Sequence, residues 1–521
     1  MPSSALRPVS SSSQRPGILW LVYALALAKF VLPFLLQHPV YEPHRDEFLY
    51  LAEGRHLSWG YVEAPPLLSL LSWFSDMLGA GFFWIKFWPA LFGAMTYILV
   101  GRMILLLGGG RFALLLGFLP FIGGYFLQLH FLLAPGFLGV YFQTLMIYGL
   151  VRYLRSGRTR GLYLMGLGFG LGMLSQYSHL LFTGWLLIGL LLTPGRQLFR
   201  NRHFYLAFLL GLLLFLPNIL WQTMHGWPAI REWNRPDLDF VLDFFRDQLT
   251  FNLPSLFIWV SGLFWVAWTE AGREYRFAGW TVLGMTATLV LLRENSDRAM
   301  GLYPVLFCFG AVALERALRF ERKVWRYGLL GFTVLTGFVM DTVFLPMMPP
   351  KELAAYYSWN PVFRRLGFLS WPDRRDHALP QRFAEMLGWE EMALKAARAY
   401  ESLDSLDKTR VLLNSGENYG EGGALDYYGP KYSLPPVMSR GADYALWTPA
   451  AYYDRDVFIV TATDCGDMKK FASATLLDSV THPYSAEYRS YIILMRGPNA
   501  EVRQEWKKGS AAEHRGQLAA R

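Results

Sequence analysis

Two adjacent carboxylates, Asp46 and Glu47, lie at the start of a polar segment that reads RDEFLYLAEGRHLSWGYVEAPP over residues 45–66. The segment follows an apolar stretch that begins near Gly17, so the acids lie where a chain would leave a bilayer. A carboxylate in such a place can take the proton of a hydroxyl group. Neighbouring residues of a helix point in different directions, so at most one of the two acids is expected to react. The simpler interpretation is that both are solvated and that Asp46 caps a helix.

Other side chains of the same segment extend this candidate site. If residues 46–58 form a helix, Asp46, Tyr50 and Glu53 share one of its faces. Such a density of polar groups at the edge of a bilayer favours a functional role over solvation alone. The remaining substrate-binding candidates of the segment are Arg45, Arg55, His56 and Tyr61.

The composition is that of a protein with many membrane spans. Of the 521 residues, 53% are hydrophobic and 17% are charged, which is not the balance of a soluble protein. The net charge of +9 does not indicate nucleic-acid binding, because most of the excess lies in short loops between apolar stretches. The two cysteines, Cys308 and Cys465, predict neither a disulfide nor a metal-binding pair.

Apolar stretches of the length that a membrane helix needs, about 20 residues, recur up to residue 346. The loops 152–160, 193–204 and 315–326 are rich in Arg, which predicts that they are cytoplasmic. An odd number of spans then places the loop 38–81 and everything after residue 346 on the external side. We predict about eleven spans, at 17–37, 82–107, 112–129, 131–151, 161–176, 179–193, 205–224, 254–269, 277–292, 300–314 and 326–346.

The predicted domains follow from this topology. The first span is interpreted as a retained helix rather than a cleaved signal peptide, because its apolar run continues past the small residues at 24–28. The domains are a disordered cytoplasmic N-terminus at 1–16, a transmembrane domain at 17–346 with its first external loop at 38–81, an external α/β domain at 347–497 and a disordered tail at 498–521.

Outside the spans, the pattern of apolar residues predicts further elements. Residues 65–81 are too short and too interrupted to span and are expected to lie along the membrane surface. Residues 231–250 predict an amphipathic external helix. After residue 346, strands alternate with short helices, which is typical of a small α/β domain. The main elements predicted there are helices at 376–405, 421–429 and 465–473 and strands at 457–462 and 490–495.

Five runs of the sequence together resemble one family. They are the segment 45–66, LLTPGRQLFR (191–200), LPNILWQTMHGWPAIREW (216–233), FAEMLGWEEM (383–392) and NYGEGGALDYYGPKYSLPPVMS (418–439). They resemble the polytopic lipid-linked glycosyltransferases of the C superfamily (GT-C), in the bacterial branch related to protein O-mannosyltransferases and lipid A aminoarabinose transferases (glycosyltransferase family 39-like). The resemblance implies a polytopic α-helical membrane protein with external juxtamembrane helices, in the inner membrane of a bacterium.

The resemblance also implies an activity and roles for residues. A polyprenyl-phosphate sugar is the donor, an extracytoplasmic lipid, glycan or protein is the acceptor, and Asp46 acts in an inverting transfer, with Glu47 supporting it. Because polyprenyl phosphate leaves readily, the enzyme mainly needs a base for the acceptor hydroxyl and positive charge for the phosphate. Donor-binding candidates are Arg231, Arg293, Arg298 and Tyr303, then Lys29 and Lys86, all with a structural alternative as surface or snorkelling side chains.

A divalent metal, Mg²⁺ or Mn²⁺, can bind Asp46 together with another carboxylate, although no ligand spacing in the sequence demands a metal. No other cofactor is expected.

Two departures from the family pattern keep alternatives open. Relatives usually have an acid in the segment matching residues 130–142, and this chain has none there. Relatives also tend to carry a Lys followed by tyrosines where this chain has Arg293 to Pro304, with Arg298 as a substitute for the Lys. A catalytically silent or repurposed relative therefore remains an alternative. A lipid or sugar transporter is a weaker one, because the sequence has no internal repeat of the kind that transporters show.

Overall fold

The computed structural model of the chain describes residues 16–231, 240–318, 322–463 and 466–506. Within these ranges the chain divides into two compact units. The first unit comprises the described parts of 1–36, 86–218 and 233–345, and the second those of 37–85, 219–232 and 346–521. The first external loop, predicted at 38–81, is thus grouped with the C-terminal residues.

Helices joined by short loops build the membrane part of the chain. Its α-helices are Pro16–Leu36, Phe82–Leu106, Arg111–Ile122, Tyr125–Leu129, Pro135–Ser156, Arg160–Met173, His179–Leu191, Arg202–Met224, Phe240–Phe251, Leu256–Trp268, Arg276–Leu292, Tyr303–Ala317 and Lys323–Phe344. Short 3-10 helices are Pro194–Arg200, Leu253–Ser255, Arg273–Tyr275 and Ser296–Leu302.

The predicted spans all fall on helices, which confirms the predicted fold class. By length and composition, 7 of the described helices can cross a membrane. The number is 8 if Val241–Phe251 and Leu253–Trp268, bent by 63° relative to each other, count as one span. The other predicted spans are the shorter helices Arg111–Ile122, Arg160–Met173 and His179–Leu191.

The predicted span 112–129 is interrupted at Gly124, whose φ of 101° is rarely adopted by a residue with a side chain. Two charged side chains bind the backbone groups beside this break. Asp341 accepts a hydrogen bond from the Gly124 N–H at 2.7 Å, and Lys29 donates one to the Phe126 carbonyl at 3.1 Å. Such partners are needed because lipid cannot satisfy free backbone groups.

The second unit contains a mixed sheet of five strands, β1 (Leu412–Asn414), β2 (Val437–Met438), β3 (Val457–Ala462), β4 (Phe471–Ser479) and β5 (Tyr491–Pro498), in the order β2-β1-β3-β5-β4. Strand β1 pairs in parallel with β2 and β3, whereas β5 pairs antiparallel with β3 and β4. Its α-helices are Arg45–Arg55, Leu67–Met77, Pro228–Arg231, Pro350–Trp359, Pro361–Arg365, Gln381–Ala384, Trp389–Glu401, Ser405–Lys408, Tyr419–Tyr432 and Tyr444–Trp447, and its 3-10 helices are Ala450–Asp454 and Gly466–Lys470.

The main core of this unit includes a residue of the first external loop. Phe48 lies on the helix Arg45–Arg55, which we call the loop helix, and is fully buried. Its ring meets that of Trp389 edge to face at 5.8 Å. Leu413 of β1 and Ile459 of β3 belong to the same cluster of buried side chains. The loop helix is therefore an integral part of this core.

Three predictions for the C-terminal region are wrong. The predicted helix 465–473 is a 3-10 helix only over Gly466–Lys470, and β4 begins at Phe471; this edge strand has mostly exposed side chains, so the alternation that identifies a strand is absent. The predicted helix 376–405 is interrupted between Ala384 and Trp389. The predicted disordered tail is helical over 500–506, where buried Val502 and Trp506 pack in a cluster with Phe458.

Other predictions fall partly outside the described residues. The amphipathic helix predicted at 231–250 is described as Phe240–Phe251. Residues 1–15 and 507–521 of the predicted disordered ends, and Cys465, lie outside the described ranges.

Candidate active site

The loop helix begins at a capping box that uses the residues around Asp46. His44 is the N-cap, and its Nδ1 accepts a hydrogen bond from the Asp46 N–H at 3.2 Å. Glu47 Oε2 accepts one from the His44 N–H at 2.8 Å. The interpretation of Asp46 as the N-cap is therefore wrong, and the fully buried Glu47 stabilises the start of the helix. Its carboxylate thereby helps to position the loop helix, and its predicted supporting role in catalysis stays a prediction.

The Asp46 carboxylate has neighbours on both sides and is partly open to solvent. Oδ1 accepts a hydrogen bond from the Tyr419 hydroxyl at 2.8 Å and lies 3.4 Å from Nε of Arg45. Oδ2 lies 3.7 Å from Nδ1 of His44. The Asp46 side chain is 34% exposed. The hydrogen bonds thus orient one oxygen, and the exposure leaves the carboxylate accessible.

Arg45 connects this carboxylate to the C-terminal residues of the second unit. Its Nη2 donates to the Tyr419 hydroxyl at 2.9 Å, and its guanidinium lies 5.1 Å from the centre of the Tyr419 ring. Its Nη1 lies 3.2 Å from Oε1 of Glu385. Gly420 makes room for this arrangement, because a Cβ there would lie 2.2 Å from Cγ of Arg45.

Glu385 is the buried counter-ion of the site. Its Oε2 lies 3.1 Å from Nε2 of His44, on the side of the imidazole opposite Asp46. The two chain segments are also joined through their backbones, since the Arg45 N–H donates to the Glu385 carbonyl at 3.1 Å and the Glu42 N–H to the Met386 carbonyl at 2.9 Å. This pairing fixes where His44 and Arg45 place their side chains.

The electrostatics keep both carboxyl groups ionised. Burial alone would raise the pKa of Asp46, but the nearby His44 and Arg45 and the hydrogen bond from Tyr419 outweigh it and lower that pKa. Burial likewise opposes ionisation of Glu385, yet His44 and Arg45 hold its pKa below the usual value. Asp46 is therefore a carboxylate, able to accept a proton, throughout the physiological pH range.

Arg55 and His56 lie at the other end of the loop helix, about 15 Å from Asp46 along its axis. Arg55 Nε lies 3.0 Å from Asp76, and its Nη1 lies 3.4 Å from Asp426. The His56 ring stacks on Trp447 with 4.6 Å between ring centres. These contacts hold the end of the helix, so the structure does not bring the two predicted binding residues to Asp46.

Tyr50, Glu53 and Tyr61, also predicted to bind substrate, are buried in the second unit. The Glu53 carboxylate accepts a hydrogen bond from the Ser69 hydroxyl at 2.5 Å. The Tyr61 hydroxyl lies 3.1 Å from the Glu53 carbonyl and accepts a hydrogen bond from the Ser58 N–H at 3.0 Å. We therefore do not include these three residues in the candidate site.

The remaining donor-binding candidates are in other parts of the chain. Arg298 Nε lies 2.8 Å from Glu294. Tyr303 is buried, and its hydroxyl donates to Gln248 Oε1 at 3.0 Å. Arg231 ends the helix Pro228–Arg231, and its side chain lies outside the described residues.

A metal site at Asp46 stays a prediction. In the described part of the chain, no three His, Cys, Asp or Glu side chains lie close enough together to hold a metal ion. Glu385 is the second carboxylate near Asp46, and its oxygens face His44 and Arg45.

Known proteins resemble this chain in sequence and in fold. Residues 63–221 match the family model described as dolichyl-phosphate-mannose-protein mannosyltransferase. Two crystal structures of ArnT from Cupriavidus metallidurans are similar in fold: the complex with undecaprenyl phosphate, with a TM-score of 0.59, and the apo state, with 0.60. Each is 12% identical in sequence, and the alignments cover 92% of this chain and 98% or 97% of the ArnT chain. No curated protein sequence matches the chain.

The chain thus has an ArnT-like fold, and the resemblance predicted from the sequence agrees with the match of residues 63–221 to the mannosyltransferase family model. Most of the match to the mannosyltransferase family model lies in the first unit, at residues 86–218, and the second unit contains the small mixed sheet.

Sequence reasoning missed three residues of the site, His44, Glu385 and Tyr419. A signal for two of them was present: Glu385 lies in the run FAEMLGWEEM and Tyr419 in the run that begins NYGEGG, both of which carry the family resemblance. His44 directly precedes the segment that was singled out, and neither its capping role nor its approach to Glu385 is visible without the fold.

Proposed function

We propose that the chain is an integral membrane glycosyltransferase that moves a sugar from a polyprenyl-phosphate carrier to a hydroxyl group of an extracytoplasmic acceptor. The observation that carries the proposal is an accessible carboxylate, Asp46, held ionised by its sequence neighbours His44 and Arg45 and by the distant Tyr419. The ArnT-like fold supports it, since ArnT has been solved with undecaprenyl phosphate bound. In this proposal the protein lies in the inner membrane of a bacterium, with the second unit on the external side.

Asp46 is the general base in the proposed reaction. Tyr419 and Arg45 orient Oδ1, so we assign the more open Oδ2 to the acceptor. Oδ2 takes the proton of the acceptor hydroxyl while the hydroxyl oxygen forms a bond to the anomeric carbon. The bond from that carbon to the phosphate oxygen breaks in the same displacement, which inverts the anomeric centre and releases polyprenyl phosphate. The proton leaves Asp46 to solvent afterwards.

The departing phosphate needs a cation, and Lys86 and Arg298 are two of the candidates for it. Lys86 is 1% exposed near the start of the helix Phe82–Leu106, and its ammonium lies 5.5 Å from the Phe131 ring. A charge buried in an apolar helix is costly and marks a functional position by default. Arg298 has Glu294 as a counter-ion at 2.8 Å.

The experiment is transfer of labelled sugar by the protein reconstituted in lipid vesicles, with a panel of polyprenyl-phosphate sugars as donors. Asp46→Asn keeps the shape and removes the base, and we expect it to lower the rate by about 100-fold or more. The matched control is Asp426→Asn, because Asp426 is 35% exposed and also pairs with an arginine, Arg55. We expect the control to keep its activity.

Two outcomes would contradict the proposal. If wild type consumes no donor, the chain is better described as a catalytically silent relative. If Asp46→Asn is as active as wild type, Asp46 is not the general base.

A further inference from the structure

A pair of carboxyl groups, Glu53 and Asp443, lies in the interior of the second unit and takes no part in the proposed transfer. Both residues are 0% exposed. Glu53 belongs to the last turn of the loop helix, and Asp443 immediately precedes the helix Tyr444–Trp447. Because a buried carboxylate without a counter-charge is costly, the pair must be neutralised in some way.

Each carboxyl group has one oxygen that accepts a hydrogen bond and one that does not. The Ser69 hydroxyl donates to Oε2 of Glu53 at 2.5 Å, and the Val62 N–H donates to Oδ1 of Asp443 at 2.7 Å. Oε1 of Glu53 and Oδ2 of Asp443 are buried and accept no hydrogen bond from the described residues. The two side chains are themselves within hydrogen-bonding reach of each other. A single proton between them would satisfy both remaining oxygens.

The surroundings of the pair favour a proton. Burial, followed by the neighbouring Asp443, raises the pKa of Glu53 well above its usual value. Burial raises the pKa of Asp443 to about 7, although the Val62 N–H opposes the shift. The other titratable groups that face the pair are Glu63, Tyr50, Tyr61 and Tyr444, none of which is a cation.

We propose that Glu53 and Asp443 share one proton, and that this proton locks the loop helix carrying Asp46 to the C-terminal segment around Asp443. The lock regulates the site of the proposed transferase, so its effect on activity rests on that function, whereas its effect on stability does not. When the shared proton leaves, two negative charges remain in a buried place and repel each other.

The direction of the pH dependence follows from the two raised pKa values. Unfolded Asp and Glu lose their protons near pH 4, whereas the folded pair keeps a proton to neutral pH. The folded state therefore binds more protons than the unfolded state over this interval, and the free energy of unfolding falls as pH rises through it. The pair contributes its full stabilisation below about pH 4, where unfolded carboxyl groups also hold their protons. This contribution to the free energy of unfolding is lost as pH rises through the raised pKa values of the folded pair.

The first test compares thermal unfolding of the full-length protein at several pH values. Glu53→Gln and Asp443→Asn each replace the shared proton with an amide N–H that does not titrate. We expect wild type to lose about 3 °C or more of Tm relative to both variants between about pH 5 and pH 8. Glu401→Gln, at the exposed end of the helix Trp389–Glu401, is the control and should follow wild type. Parallel pH profiles of wild type and both amide variants would overturn the proposal.

The second test needs only the wild-type protein, so it does not depend on whether the variants fold. Hydrogen–deuterium exchange, corrected for the intrinsic effect of pH, should show residues 45–55 and 441–447 losing protection together as pH rises. Unchanged protection of both segments at about pH 9 would count against the lock.

A third comparison uses Mg²⁺ and Ca²⁺ against a chelator. If either cation stabilises wild type but not Glu53→Gln, a metal occupies the place assigned to the proton, and the proposal is wrong. All three measurements are made without a donor. If these measurements confirm the lock but the protein transfers no sugar, the proposed function is wrong and the lock still stands.

Discussion

The two ends of the loop helix carry similar residues in opposite electrostatic states. At its start, Asp46 is partly exposed, contacts Arg45 and Tyr419, and has a lowered pKa. Near its end, Glu53 is fully buried against Asp443 and has a raised pKa. Both acids lie on the face expected from their spacing, so their position on the helix does not separate them. Their neighbours do, and the C-terminal part of the chain supplies Tyr419 to Asp46 and Asp443 to Glu53.

A comparison of Asp46 with Asp426 shows which neighbours lower the pKa of Asp46. Asp46 and Asp426 have nearly equal exposure, 34% and 35%, and each lies 3.4 Å from an arginine, Arg45 and Arg55 respectively. The pKa of Asp426 is nevertheless raised, because burial outweighs Arg55. Asp46 differs by having His44 and the Tyr419 hydroxyl as additional partners. An arginine alone therefore does not make an ionised base in this protein.

The largest expected effect comes from removing the buried counter-ion. Glu385→Ala leaves His44 and Arg45 without the acid that they contact, and we expect the free energy of unfolding to fall by about 3 kcal/mol and transfer to be lost with it. Thermal or denaturant unfolding in detergent measures the change. The matched variant is Glu390→Ala, which removes an exposed pair with Lys431 and should change stability little. Equal effects of the two substitutions would mean that Glu385 does not hold the site together.

A smaller effect is expected from a substitution that places a methyl group against Arg45, which lies at the same end of the loop helix as Asp46. In Gly420→Ala the new Cβ would meet Arg45 and push its guanidinium away from Tyr419. We expect transfer to fall about ten-fold, because misplacing a positioning group costs rate without unfolding the protein. Gly429→Ala lies in the same helix, where a Cβ would make an ordinary contact of 3.8 Å with Leu434, and serves as the control. Loss of activity in both would point to the helix rather than to Arg45.

The smallest effect is a shift in the pH profile. Tyr419→Phe removes the hydroxyl that donates to Asp46, so the pKa of Asp46 should rise towards its usual value. The base is then protonated sooner as pH falls, and the acid limb of transfer moves to higher pH, with a loss of about three-fold near neutrality. Tyr427→Phe removes a hydroxyl that bonds the Ala80 carbonyl and should leave the acid limb in place. An unmoved acid limb in Tyr419→Phe would show that Tyr419 does not set the charge of Asp46.

The sequence was sufficient for the features that depend on composition and local pattern. The spans and the α/β character of the C-terminal region follow from apolar runs and alternating elements. The role of Asp46 stays a prediction from the family resemblance. The partners of Asp46 were beyond such reasoning, because Tyr419 is 373 positions away in the chain. Edge strand β4 was missed since its exposed side chains give no period, and the buried roles of Glu53 and Tyr61 arise only from packing.

The burial of Phe48 has a consequence for how the protein is made. Ribosomes produce the chain from its N-terminus, so the loop helix is complete long before Trp389, Leu413 and Ile459, its companions in the core, have been synthesised. Until those residues have been synthesised, the Phe48 ring cannot pack in the core that buries it in the finished protein. The loop must therefore wait in an unfinished state during most of translation, and a fragment beginning at residue 347 would lack a side chain from the centre of its own core.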